Sequence, residues 1–206
     1  MGIFRRIEIG INKFRGLIPV YGFWGALSQI LKNFLWLEIT YHFKQDLAQP
    51  AANRVQAKIP LRVVIFDQSL DLDHWDGKNE IIKIRGEYGL SQFRNRFDEG
   101  DLLFCAYSDE KFTGFIWLNP PGYQHSGIHL APDENYHIDG WVFTEDRGKN
   151  SLPVLQQAVA DYLRKERPQI RYLVSHGAVK NKATLSGQQK AGMVPVAREL
   201  SISFLG

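Results

Sequence analysis

Residues Tyr136 to Leu163, YHIDGWVFTEDRGKNSLPVLQQAVADYL, constrain this chain more than any other stretch, because a strand, a short basic loop and an amphipathic helix follow one another without a break. Leu155, Ala158, Val159, Tyr162 and Leu163 share one face of that helix. Its ends are marked as well. Ser151 or Asn150 can cap the start, Pro153 suits the first turn, Arg164 and Lys165 suit the negative end, and Pro168 prevents continuation. A helix start leaves backbone N–H groups unpaired at the positive end of its dipole, and Arg147, Gly148 and Lys149 sit in the loop that would feed an anion to them. The pattern implies a ligand that carries phosphate.

The elements on either side extend the same scheme. LRVVIF reads as the first strand of a main domain, and the prolines and small residues of AQPAANRVQAKIP before it read as a linker with a boundary near residue 58. A helix is expected around Gly89 to Phe97. The strands LLFCAYS and TGFIWLN form a hairpin about Asp109, Glu110 and Lys111. RYLVSH closes a β-α-β unit with a parallel strand pair, and a short helix near Lys182 to Ala191 leads to a last alternating strand through Leu200, Ile202 and Phe204. The class is mixed α/β, and a hydrophobic content of 44% over 206 residues supports one full core.

Residues 1 to 57 read as an N-terminal extension. Val20, Phe23, Trp24, Leu27, Ile30, Leu31, Phe34 and Leu35 recur at spacings of three and four, which is one face of a helix that needs a covering surface: the main domain, a second subunit in a homodimer, or an anionic membrane. The uncharged stretch Gly16 to Leu31 is 16 residues long and carries Pro19, so it falls short of the roughly 20 apolar residues that a span requires. Met1 to Pro50 holds six Lys/Arg against three Asp/Glu, and the remainder holds nineteen of each. A body balanced in this way argues against nucleic acid as a partner. Cys105 stands alone in an apolar strand, which reads as a buried inert thiol and fits a reducing cytoplasm, with the inner face of a membrane as the peripheral alternative. No metal is expected. DLDHWDG lacks the ligand positions of a calcium loop, and His125, His129 and His137 lack a Cys or Glu at ligand spacing.

Two blocks in this order resemble the GCN5-related N-acetyltransferase (GNAT) superfamily. Val142 and Arg147 match the spacing of its loop pattern V-x-x-x-x-R/Q-x-x-G-x-G/A, and Asn181-x-x-Thr184 followed by Gly192 and Met193 matches its second block. The resemblance covers roughly residues 60 to 206. It implies a mixed, mostly antiparallel α/β sheet with a splayed parallel pair formed by the family's fourth and fifth strands, flanking helices and, here, the N-terminal helical extension. It also implies acetyl-CoA, or another acyl-CoA, as co-substrate. The loop Arg147, Gly148, Lys149, Asn150, Ser151 and Leu152 would hold the pyrophosphate, the pantetheine arm would lie beside Trp141, Val142 and Phe143, and Asn181 and Thr184 would flank the arm. Asn150 stands where the pattern has glycine, and Asn is the non-glycine residue best able to adopt positive φ. Leu152 stands where the pattern has a small residue, so it has to point away from the phosphates.

The reaction so implied is N-acylation, most simply acetyl transfer, of a small-molecule amine. Asp139 is the expected base, with His137 on the same strand face two residues earlier and Glu134 in reserve. Backbone N–H groups near Val142 would form the oxyanion hole. Gln188 occupies the position where the family often has a proton-donating tyrosine, and Ser186 and Tyr172 are the substitutes. Phe104, Tyr107, Phe115, Trp117 and Trp141 read as core and acceptor-cleft wall, with Tyr123 near the acceptor entrance. The alternative that Asn150, Leu152 and Gln188 keep open is a catalytically impaired adaptor of the same fold, acting through its N-terminal helix on a membrane or protein partner.

Overall fold

The computed structural model describes residues 35–49, 54–123 and 130–204, together with Pro19, Phe23 and Trp24. Its framework comes from strands that are apolar on both faces. In β3 (Leu102–Ser108) and β4 (Lys111–Leu118) nearly every residue is buried, and they pair antiparallel about a tight turn in which Asp109 takes φ 53°. Such strands need cover on both sides of the sheet.

Helix α1 (Lys78–Asp98) supplies one cover. Its Ile81, Leu90, Phe93 and Phe97 pack on Leu103, Cys105, Phe115 and Trp117 from one sheet face, and Phe93 meets the Phe115 and Trp117 rings edge-on at 5.1 and 4.9 Å. Helix α2 (Ser151–Glu166) supplies the other, with Leu155, Val159, Ala160 and Leu163 on Phe104, Ala106, Ile116 and Leu118. Its bounds differ by one residue from the sequence expectation. The cysteine is fully buried, and burial raises its thiol well above the ordinary range, as expected of an inert residue.

The seven-stranded sheet runs β2 (Arg62–Phe66), β3, β4, β5 (Glu134–Val142), β6 (Tyr172–Ala178), β1 (Leu35–Asp46) and β7 (Val194–Phe204), with only β5 and β6 parallel. Helix α3 (Lys182–Lys190) connects β6 to β7. Two expectations need correction. Residue 35, placed at the end of an N-terminal helix, instead opens β1, which lies between β6 and β7 and pairs antiparallel with both. The sheet therefore draws on residues well before 58. The helix expected around 89–97 also starts earlier, and its polar first half escaped a reading based on apolar spacing. It breaks at Gly86, whose φ of 66° and ψ of −172° few other residues could adopt. Of the rest of the expected N-terminal helix face only Phe23 and Trp24 are described, both helical and exposed; its other members, His125 and His129 lie outside the described residues. Among the described residues no helix is long and apolar enough to cross a membrane, and no three His, Cys, Asp or Glu are grouped to hold a metal.

Candidate active site

A cleft opens where the parallel pair ends. β5 and β6 are paired over Glu134–Tyr136 against Tyr172–Val174, so from His137 onward the β5 edge that faces β6 has no strand partner among the described residues. Within the same stretch, Trp117 lies opposite Ile138 and Phe115 opposite Trp141, which leaves Asp139 and Gly140 facing the single residue Ile116. This is a β-bulge, and Asp139 takes φ 56° within it.

The bulge resets which face each side chain occupies. Nε2 of His137 lies 3.4 Å from Sδ of Met193 on the α2 side, whereas the Asp139 carboxylate turns to the α1 side. There Arg85 donates to both its oxygens at 2.7 Å, and Arg96 stands 3.7 Å away. The break at Gly86 ends the first half of α1 at Arg85, whose guanidinium also covers the rings of Phe115 and Trp141. The imidazole–carboxylate pair expected on one strand face is therefore not formed.

His137 is only 4% exposed, and burial pushes its imidazole down to about 3, away from the range suited to amine deprotonation. Because its folded-state pKa is depressed, the stability contributed by the neutral ring is whole above the unfolded value of 6.5 and is lost as pH falls toward 3. Acidification from pH 6.5 to 5 is expected to cost about 2 kcal/mol at this site. Urea midpoints measured across that range should fall steeply in the native protein and less steeply in His137→Leu.

Glu134 sits at the closed, paired end of β5. Burial alone would raise its carboxyl, but Lys44 at 2.6 Å and the Ala131 N–H hold it below the usual carboxylate range. It is remote from the open end of the cleft, as is Tyr172, which lies opposite Glu134 under the Lys44 ammonium.

The loop after β5 makes a compact turn into α2. Thr144–Asp146 make a single 3-10 turn, Gly148 takes φ 77°, and Asn150 takes the left-handed φ 66°, ψ 20° that its amide side chain tolerates. Neither Asn150 nor Ser151 caps α2, contrary to expectation, because the Asn150 side chain donates to the Gln56 carbonyl at 3.1 Å and accepts from Lys190 at 3.2 Å. The start of the helix stays open.

The loop is braced from two sides. The Lys58 N–H donates to the Lys149 carbonyl at 3.0 Å, and buried Asp146 is gripped by Lys149 at 2.8 Å and Lys111 at 3.0 Å. These two ammonium groups hold Asp146 low against the opposing effect of its burial. Arg147 folds back to donate to the Val142 carbonyl at 3.2 Å and covers Trp141. Ser151 is 2% exposed, lines the groove, and has a hydroxyl with no partner among the described residues.

Trp141, Val142, Arg147, Gly148, Asn150, Ser151, Leu152, Asn181 and Thr184 come together around one groove of about 390 Å³. Phe143 does not, being buried on the other face against Phe112. Lys149 serves Asp146 instead. Asn181 caps α3 by accepting from the Thr184 N–H at 3.1 Å. Gln188 is a strut, donating to Ser175 Oγ at 2.7 Å and to the His176 carbonyl at 3.1 Å.

Two residues escaped the sequence reading. Lys190 carries a cation from α3 to the groove, and nothing in a short polar helix announced it. His176 is exposed on β6, stacks on Tyr136 with rings 5.6 Å apart, shares a hydrogen bond between Nδ1 and the Tyr136 hydroxyl, and lines a crevice of about 50 Å³ at the splay. Its signal was available, since the imidazole ends RYLVSH just beyond the point where parallel pairing stops.

No protein-family model and no curated protein matches this sequence. Solved structures do match it. A tandem GNAT protein from the clavulanic acid biosynthesis pathway, without AcCoA, shares 18% identity over 87% of this chain and 58% of its own, with a TM-score of 0.57. An acetyltransferase from the GNAT family from Colwellia psychrerythraea shares 8% over 86% and 60%, with a TM-score of 0.57. AAC(6')-Iy, in complex with the bisubstrate analog CoA-S-monomethyl-acetylneamine, shares 15% over 68% of this chain and 95% of its own, with a TM-score of 0.52. The chain thus spans about three fifths of the first two. At these identities the likeness establishes the fold.

Proposed function

We propose that this chain, which has the fold of the GCN5-related N-acetyltransferases, is an acyl-CoA-dependent N-acyltransferase, most simply an acetyltransferase, acting on a small-molecule amine. The observation that carries the reading is the uncapped start of α2, shaped by left-handed Gly148 and Asn150, which opens on a groove that leads to the splay between β5 and β6. The residues fit a diphosphate: first-turn N–H groups, the unpartnered Ser151 hydroxyl and the Lys190 ammonium all border the same space. An acyl-CoA would supply an activated thioester carbonyl there.

The chain's own groups have two tasks. Unpaired N–H groups on the β5 edge near Val142 stabilise the negative charge that grows on the carbonyl oxygen. His176, on the far wall of the crevice, accepts the proton released by the attacking amine, with Tyr136 fixing its ring. Asp139 is a positioning residue, because Arg85 engages both of its oxygens. A thiol with a pKa near 8.5 departs without a dedicated acid, so Gln188 at the tyrosine position is compatible with turnover.

Calorimetry with acetyl-CoA tests the reading. The native protein should bind, and Gly148→Val should bind about tenfold more weakly or worse, since a β-branched residue at φ 77° costs about 1–3 kcal/mol and misdirects the loop amides. Open space around Gly148 means the side chain itself meets no clash, so backbone strain is the whole cost and the melting temperature without ligand should fall by about 2–12 °C, with the fold retained. Absence of heat and of any thermal shift at millimolar acetyl-CoA would overturn the proposal. One observation favours a second reading, a binding module of this fold without turnover: Leu152 lies across the route from groove to crevice. Nucleotide binding with no thiol release across a panel of amines would support it.

A further inference from the structure

The groove and the crevice share Gly140, Leu152 and Thr184 in their linings, and the leucine is the largest of the three side chains. It lies over Gly140 of β5, so close that a carbon added to Gly140 would sit 2.8 Å from its Cδ1, and reaches across to Gly187 of α3, where an added carbon would sit 3.2 Å from its Cδ2. Gly140 and Gly187 thus give the leucine its seat, and the seat spans the cleft between β5 and α3. On the solvent side lie Ser151, Arg147 and Lys190, which suit phosphate. On the inner side lie His137, His176, Gln156 and Gln188.

The inner side is polar and incompletely satisfied. Oε1 of Gln156 and Oε1 of Gln188 are both buried without a donor among the described residues, although the Gln188 amide nitrogen is fully engaged. Leaving such oxygens unpaired is costly, so a donor-bearing group that passes the leucine would be rewarded and an apolar one would not.

We infer that Leu152 is a wedge that divides phosphate binding from entry of the arm: the groove holds the nucleotide end of the ligand with the leucine in place, and the arm reaches the crevice only when the leucine swings off Gly140 and Gly187. This rests on the function proposed above and adds a specificity-determining residue to it. Moving a packed leucine off its preferred rotamer costs on the order of 1 kcal/mol, which enters the affinity for an arm-bearing ligand and not that for the nucleotide alone.

The test compares 3'-phosphoadenosine 5'-diphosphate, which lacks the arm, with CoA, by calorimetry on the native protein, Leu152→Ala and Leu152→Phe. The nucleotide should bind all three with affinities within about twofold, whereas CoA should tighten by about fivefold in Leu152→Ala and weaken in Leu152→Phe. If Leu152→Ala fails to fold, Leu152→Met keeps the volume on a more flexible stem and should shift CoA in the same direction by a smaller factor. Nucleotide binding with an unchanged CoA-to-nucleotide ratio in these variants would overturn the wedge and leave the phosphate site standing. Failure of the native protein to bind either ligand would overturn both.

Discussion

A chain beginning at residue 58 is expected not to fold. The deletion looks harmless from the sequence, where residues 1 to 57 read as an accessory helix and linker, but it removes β1 from between β6 and β7. Thr40–Asp46 pair with Tyr172–Ala178 on one side, and Leu35–Lys44 pair with Val194–Phe204 on the other. Without β1, the splayed β6 loses its antiparallel neighbour, and β7 loses its one partner strand among the described residues. Phe43 and Leu47 leave the core beneath α2, a loss of about 3–5 kcal/mol for the phenylalanine and 2–5 for the leucine by analogy with truncation to alanine. Together with two stripped hydrogen-bond ladders, this reaches the whole stability of an ordinary domain, about 5–15 kcal/mol. The deletion also removes Gln56, whose carbonyl holds the Asn150 side chain. Thermal melts followed by circular dichroism should show a cooperative transition for the full chain and none for residues 58–206. A sigmoidal melt of equal amplitude from the truncated protein would contradict the sheet order.

The failure to read β1 from the sequence has a physical cause. Its residues LWLEITYHFKQD do alternate, with Leu37, Ile39, Tyr41 and Phe43 against Glu38, Thr40, His42 and Lys44, which is the period of a strand. The apolar spacing of three and four in the segment before it runs to Leu35, and one periodicity masks the start of the other. Strands covered on both faces, such as LLFCAYS, were legible from their unbroken apolar run, and the helix after the basic loop from its apolar face together with Pro153 in the first turn and Pro168 beyond the end. The turn at Asn150 was legible because asparagine tolerates the left-handed conformation that it takes there. The faces of β5 were not, since strict alternation put Asp139 beside His137. A single extra residue reverses that placement, and the Asp139–Gly140 pair was the available sign of a bulge. Ion pairing between Asp139 and a helix more than forty residues upstream in sequence has no local signature at all.

Asp139→Asn is the substitution expected to cost the most at the site itself. Asparagine keeps the shape and the tolerance for positive φ, so the variant isolates the charge. Arg85 and Arg96, whose side chains are only 20% and 21% exposed, would lose their shared carboxylate, although Arg96 keeps Asp101 at 3.2 Å. Partial exposure softens the penalty, leaving an expected destabilisation of about 2 kcal/mol by urea denaturation. Turnover should fall at least about tenfold with little change in KM for acyl-CoA, because the bulge aims the β5 edge at the reacting carbonyl while the phosphate loop stands on separate braces. Arg85→Met and the double variant decide how the carboxylate acts. If Asp139 works through its ion pair, Arg85→Met alone should be as slow as Asp139→Asn, and the double variant should be no slower than either, with a coupling energy of about 1–2 kcal/mol. If Asp139 instead took the proton itself, freeing it from Arg85 would preserve or raise the rate of the arginine variant and shift its pH profile, while both asparagine variants stayed inactive. The bidentate pair at 2.7 Å selects the first outcome, since each carboxylate oxygen is already held by the guanidinium and an incoming amine would have to compete with that contact.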